Sequence, residues 1–161
     1  MAFRVRVLVG LSGLLLGCAH STIQAPAPTV RNSGVALSVV SGQRCFVTRD
    51  NERLPPPTND NRVHVRVTLR IENDSPEVVG VTSGDIRLAP RVPARAAQGE
   101  IAPIGSTELT LLPGQSQVFP LDFAGPGPVD CRHPFDLEPR GAVTRAARPV
   151  TLAPIRLVAS R

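Results

Sequence analysis

From residue 62 the chain reads RVHVRVTLRIE, with apolar and polar residues in strict alternation. Val63, Val65, Val67, Leu69 and Ile71 share one side; His64, Arg66, Thr68, Arg70 and Glu72 share the other. Successive side chains of a strand point to opposite faces, so this run predicts a strand over 62–72 with one face on a core and one in water. Similar readings place strands at 35–41 and 44–49, separated by Gly42-Gln43 as a tight turn or bulge, and at 78–82 and 85–88. A hairpin is expected from 108–112 and 116–123 around Pro113-Gly114, and further strands at 135–137 and 150–158. Pro120 lacks an N–H, which predicts an edge or bulged strand for 116–123. The stretch ERLPPPTNDN is a loop, Asn73-Asp74-Ser75-Pro76 a turn, and 89–107 and 124–134 long irregular connections. The Arg- and Ala-containing stretch before residue 150 is long enough for one helical turn. About seven to nine short strands with turn signals between them predict an all-β, antiparallel sandwich.

Composition narrows this picture. At 161 residues there is room for one domain. Hydrophobic residues make up 42% but aromatics only 3%, with no Trp or Tyr, so the core has to be aliphatic. Seventeen prolines and thirteen glycines suit short strands better than long helices. The formal charge is +5, and all 18 basic residues are arginine. The excess is spread along the chain, with no basic run interleaved with aromatics, and this excludes nucleic acid as a partner.

The first residues, MAFRVRVLVGLSGLLLGC, have the three parts of a secretory signal: Arg4 and Arg6, an apolar stretch over 7–16, and a processing site. The tetrapeptide Leu15-Leu16-Gly17-Cys18 resembles the lipobox of bacterial lipoproteins. That resemblance implies a diacylglyceryl group on the Cys18 thiol, cleavage before Cys18 and acylation of the new amine. It divides the chain into a signal peptide (1–17), a lipidated cysteine with a flexible tether (18–34), and a β-sandwich domain (35–161). Cleavage after Ala19 is the alternative; a membrane-spanning helix needs about 20 apolar residues, far more than this stretch has. Several acyl chains on one cysteine give stable anchoring. Ala19 after the cysteine, by resemblance to enterobacterial sorting, implies an outer-membrane lipoprotein facing the periplasm.

The order of phrases over about 60–125 resembles bacterial extracytoplasmic immunoglobulin-like domains of the telokin-like kind. The alternating strand ends in Asn73-Asp74-Ser75, short strands follow, and Leu112-Pro113-Gly114-Gln115-Ser116 leads into a strand ending in Phe123. The resemblance implies an immunoglobulin-like sandwich and carries no catalytic residues over. The buried Trp of antibody-type domains is missing.

An oxidising compartment makes one disulfide between Cys45 and Cys131 the expected state of the remaining cysteines. The alternative is a metal or redox site in which Cys131, His133 and His64 take part, without the paired-ligand spacing that zinc sites show. No GxSxG elbow, acid-rich calcium run or phosphate-binding glycine loop is present. His64 lies on the polar side of its strand, as a solvated residue would. These features predict a non-catalytic binding or scaffolding module with no cofactor, joined to the membrane by lipid. Its expected partners are another envelope protein or an anionic lipid or polysaccharide, met by the loops and by Arg91, Arg95, Arg132, Arg140, Arg145 and Arg148. The other reading is an envelope hydrolase or metal-handling lipoprotein using His64, His133 and nearby acids.

Overall fold

The structure, a computed structural model, describes residues 21–40, 43–49, 61–91, 99–126 and 131–160. Its spine is the alternating run, a 13-residue strand β5 (Asn61–Asn73). One edge of it pairs with β9 (Ser116–Pro126), in register from Arg62 opposite Pro126 to Glu72 opposite Ser116. Its other edge carries β3 (Val35–Val39) and β4 (Gln43–Arg49) end to end. Val39 faces Leu69 and Arg44 faces Arg66, so five steps of chain cover three steps of β5. The chain runs in the same direction in β3 and β4, so Gln43 belongs to a bulge and not to a hairpin turn, while Gly42 lies outside the described residues. Gln43, only 2% exposed, fills the break. Its Oε1 accepts the Thr68 N–H at 2.5 Å, its Nε2 donates to the Val40 carbonyl, and the Val40 N–H donates to Thr68 O at 2.9 Å.

Both backbone groups of Thr68 are thus spent on the β3–β4 side, away from β9. Pro120, directly opposite Thr68, owes that position no N–H and sits on the outer edge of β9, as its chemistry predicts.

Residues 21–32, expected as part of a flexible tether, instead form two strands, β1 (Ser21–Gln24) and β2 (Thr29–Asn32). Strand β2 forms a hairpin with β3 through Ser33-Gly34, whose φ values of 54° and 77° give the twist that favours tight hairpins. Strand β1 pairs with β4 and buries Ile23 completely. Its other edge takes β13 (Ile155–Ala159), followed by β10 (Phe135–Pro139) and β7 (Ile86–Pro90). The large sheet then curls back on itself. Residues 101–104, inside one of the expected long loops, bridge from Leu88 of β7 to Phe123 of β9. Ile101 exchanges two backbone hydrogen bonds with Leu88, and the Ile104 N–H donates to Asp122 O at 2.6 Å.

The second sheet has four strands in the order β12 (Arg148–Pro149), β11 (Val143–Arg145), β6 (Val79–Thr82), β8 (Glu108–Leu111). The expected helical turn before residue 150 is a β-hairpin: Ala146 and Ala147 have φ of 45° and 61° and reverse the chain between β11 and β12. The long C-terminal strand expected over 150–158 begins only at Ile155. The all-β, antiparallel class holds, but with 13 strands described, because the N-terminal stretch adds two and the last third of the chain is cut into short pieces.

Both sheets feed one core. Val63, Val65, Val67, Leu69 and Ile71 are buried with Phe119, Leu121 and Phe123 of β9, and the small sheet contributes Val79, Val81, Leu111 and Val143. The core is aliphatic, with phenylalanine alone supplying rings.

Candidate interaction surface

The register gives the sandwich two distinct ends. At one, which we call the turn end, β5 finishes at Asn73. Asn73 continues the inward-facing series of odd residues, so the strand carries an amide into the core, where it is 0% exposed. A buried amide is costly unless bonded, and this one is fully used. Its Oδ1 accepts the Ser75 N–H at 3.0 Å and the Ser75 Oγ–H at 2.6 Å; its Nδ2 donates to Glu77 O at 2.8 Å and Leu111 O at 3.1 Å. The Asn73 backbone accepts from Gly114 N at 2.7 Å and donates to Gln115 O at 2.9 Å. One residue therefore ties the 74–78 turn to the Pro113-Gly114 turn. The β2–β3 turn joins them: the Asp74 N–H donates to Gly34 O at 2.7 Å, and a Cβ on Gly34 would lie 2.9 Å from the Ser75 Cβ. Complete burial also removes Asn73 as a glycosylation acceptor, although Asn73-Asp74-Ser75 has that motif.

Arginines lace the outside of this knot. Arg145 reaches Glu77 at 2.9 Å and donates to Ser33 O at 2.8 Å; Arg31 meets Asp74 at 3.0 Å and Glu72 at 3.4 Å. Val78 and Leu112 stand out at 45% and 53% exposed. Val78 directly precedes Val79 and Leu112 directly follows Leu111, and because Val79 and Leu111 are antiparallel partners the two exposed residues are neighbours on the tip.

The opposite, N-terminal end is where β1 enters. Ser21 is paired with Cys45 and Thr22 with Arg44, and Ser160 donates its N–H to Thr22 O at 2.8 Å. Cys45 is bonded to Cys131 with a Cα–Cα separation of 5.6 Å, both cysteines buried, so the pairing read from the sequence is the one the fold brings together. Arg132 follows Cys131 on the exposed side. Arg66 of β5 forms a two-pronged pair with Asp122 of β9, Nε to Oδ1 at 2.6 Å and Nη2 to Oδ2 at 3.0 Å. The Asp122 hydrogen bond and charge hold the Arg66 guanidinium above its ordinary range. Arg44, opposite Arg66, is exposed and makes no ion pair among the described residues. Asp50, Glu52, Asp60 and Asp130 lie outside the described residues.

The other arginines singled out in the sequence do not form one cationic patch. Arg140 is held between Glu100 and Glu138, each at 2.6 Å. Arg91 and Arg156 converge on Asp136, at 2.5 and 3.4 Å, in a shallow cleft of about 420 Å³ floored by Pro26, Val30 and Pro154. Asp136 is only 8% exposed, and the paired arginines account for its burial. Arg148 is exposed in β12, and Arg95 lies outside the described residues, as does Cys18. His64 stacks on Phe46 with ring centroids 4.9 Å apart, so the polar face of β5 carries a ring pair as well as solvated charge. His133 is half-buried beside the disulfide. Among the described residues no three His, Cys, Asp or Glu side chains come together as a metal site, and no helix is long and apolar enough to cross a membrane.

The turn knot was missed as a unit in the sequence. Its signal was present, since Asn73 and Ser75 extend the inward positions of β5 with polar residues that have to find partners. No protein-family model matches the chain, and no curated protein or solved structure matches it either.

Proposed function

We propose that this chain is a lipoprotein of the bacterial cell envelope, acylated on Cys18, facing the periplasm from the outer membrane and acting as a non-catalytic binding or scaffolding module. The immunoglobulin-like resemblance of residues 60–125 belongs to the same reading. The observation that carries it is the joining of Leu15-Leu16-Gly17-Cys18 to a rigid sandwich whose far turns are locked together. Such a body presents a surface without needing to move. Val78 and Leu112 supply the apolar contact, and Arg145 and Arg31, already committed to Glu77 and the 72–74 carboxylates, keep the rim polar. That arrangement of apolar centre and polar rim is how protein partners are engaged.

The test has two arms. Metabolic labelling with palmitate in a bacterial host is expected to mark the wild-type chain and not Cys18→Ala, with the variant leaving the membrane pellet; labelling that survives the substitution overturns the anchor. A photo-reactive side chain at position 112 is expected to give one discrete cross-linked envelope species that the same probe at position 87 does not give. Identical products from both positions overturn the turn end as the binding surface.

A further inference from the structure

Strands β1 and β2 lie end to end along β4 and β3, and only β1 goes on to pair with β13. That pairing stops at Gln24 opposite Val158, so the large sheet splits beyond it. Residues 25–28, with Pro26 and Pro28, carry the chain from β1 to β2, and Pro154 stands just before β13. Farther on, Asn32 Nδ2 donates to Thr151 O at 2.6 Å and closes the opening again. The cleft of about 420 Å³ between Val30 and Pro154 is this split, and its size lies within the range of about 300 to 1,000 Å³ that small-molecule sites occupy.

One wall of the cleft is charged and braced. Asp136 and Arg156 are opposite each other in β10 and β13, and Arg91 directly follows β7, where the Arg91 N–H donates to Pro134 O at 2.8 Å. Asp136 is buried and gives one oxygen to each arginine: Oδ2 to Arg91 Nε at 2.5 Å and Oδ1 to Arg156 Nε at 3.4 Å. Both guanidiniums therefore spend their Nε on Asp136. Their Nη groups make no hydrogen bond among the described residues, and the two side chains are 56% and 52% exposed. Two terminal forks thus line the cleft, each able to give two parallel N–H donors to one anion. The shared carboxylate holds them in place before any ligand arrives, which removes part of the ordering cost of binding. The other wall is apolar, made of Pro26, Ala27, Val30 and Pro154.

We infer that this cleft binds a small carboxylate with a short aliphatic body, its carboxylate held by Arg91 and Arg156 and its body lying against Pro26, Val30 and Pro154. Charge favours this class. Two arginines and Asp136 leave the trio with one positive charge, which a monoanion completes. A phosphate monoester brings nearly two negative charges and a third terminal oxygen, for which Pro26, Ala27, Val30 and Pro154 have no side-chain donor. The site needs neither the acylation of Cys18 nor the turn end, so it stands or falls apart from both.

The test uses the full chain in detergent micelles and follows the arginine Nε–H signals by nitrogen–proton NMR. The signals lost in Arg91→Gln and in Arg156→Gln assign the pair. N-acetylleucine is expected to move both signals saturably in the millimolar range, and its neutral counterpart N-acetylleucinamide to move neither. Each single arginine variant should weaken binding about tenfold or more, the loss expected for a charge-assisted hydrogen bond. Ala27→Glu, at an exposed position of the apolar wall, leaves both arginines intact and should weaken binding severalfold by like-charge repulsion. Signals that stay in place throughout the millimolar range, or that respond equally to N-acetylleucinamide, overturn the carboxylate site. Phosphate binding as tightly as N-acetylleucine at equal ionic strength overturns the ligand class, and acetate binding as tightly overturns the role of the apolar wall. Wild-type affinity in both arginine variants, with spectra otherwise unchanged, overturns the part given to the two forks.

Discussion

The two ends of this sandwich solve the same problem by different chemistry. Each has to hold loops that approach from distant parts of the chain. The turn end does so with a buried Asn73–Ser75 knot that joins segments around residues 34, 75 and 114 through short hydrogen bonds. The N-terminal end does so with one covalent link, Cys45–Cys131, across a separation of 86 residues. Hydrogen bonds serve where the backbone turns tightly and every donor finds a nearby acceptor. The disulfide joins β4 to the segment that leads into β10, two strands that do not pair with each other. The lesson is that polar burial and covalent stapling are alternative means of fixing loops.

Breaking the staple should have the largest effect. Replacing Cys45 and Cys131 together by alanine releases the loop-closure constraint and is expected to cost about 4 to 5 kcal/mol in the entropy model. Urea unfolding at constant temperature checks this, and a loss below about 1 kcal/mol would show that residual structure already constrains the 46–130 segment in the unfolded chain.

Asn73→Ala should come next, at about 2 to 3 kcal/mol, because it removes the buried acceptor of the Ser75 N–H and the donor to the Leu111 carbonyl. Asn73→Asp is a sharper version: it keeps the Oδ1 acceptor but removes both Nδ2 donations, so it should be no better than alanine. Gly34→Ala follows, at roughly 1 to 2 kcal/mol, since a φ of 77° is strained for alanine and its Cβ would press on Ser75. Thermal unfolding ranks the two, and Gly34→Ala costing more than Asn73→Ala would place the turn, not the amide, at the centre of the knot.

The smallest effect is expected from Arg66→Ala. The pair with Asp122 is exposed, and such pairs are weak in salt. Its pH dependence has a definite sign. The folded-state pKa of Arg66 is raised, so whatever the pair contributes is fully present below the ordinary arginine value and is lost only as pH rises through the folded value. Stability attributable to Arg66 should therefore be flat from neutral to strongly alkaline pH. A difference between wild type and Arg66→Ala that appears near neutrality would belong to another group.

Much of this was legible in the chain itself. The alternation over 63–71 dictates β5 and its buried face, because period two leaves a strand no other way to hide five branched side chains. The Leu112-Pro113-Gly114 turn and the edge position of Pro120 follow from the missing proline N–H and from glycine at φ of 78°. Residues 21–32 were not legible as strands: AHSTIQAPAPTVRNSG has too few apolar residues for a period, and only pairing with β4 and β13 makes Ile23 a core residue. The same holds for 101–104, where Ile101 is buried only because the curled sheet brings β7 and β9 close enough for one short segment to bridge them.

The sequence by itself thus determined the class, the aliphatic core, the central strand and which cysteines pair, since each depends on local pattern or on the count of available partners. Only the tertiary structure decided which end of the sandwich gathers the turns, that the bulge at Gln43 keeps β3 and β4 collinear, and that β1 and β2 belong to the large sheet. Those are matters of non-local register. A strand's partners lie tens of residues away, and no local periodicity records which edge of which strand will be left open to receive them.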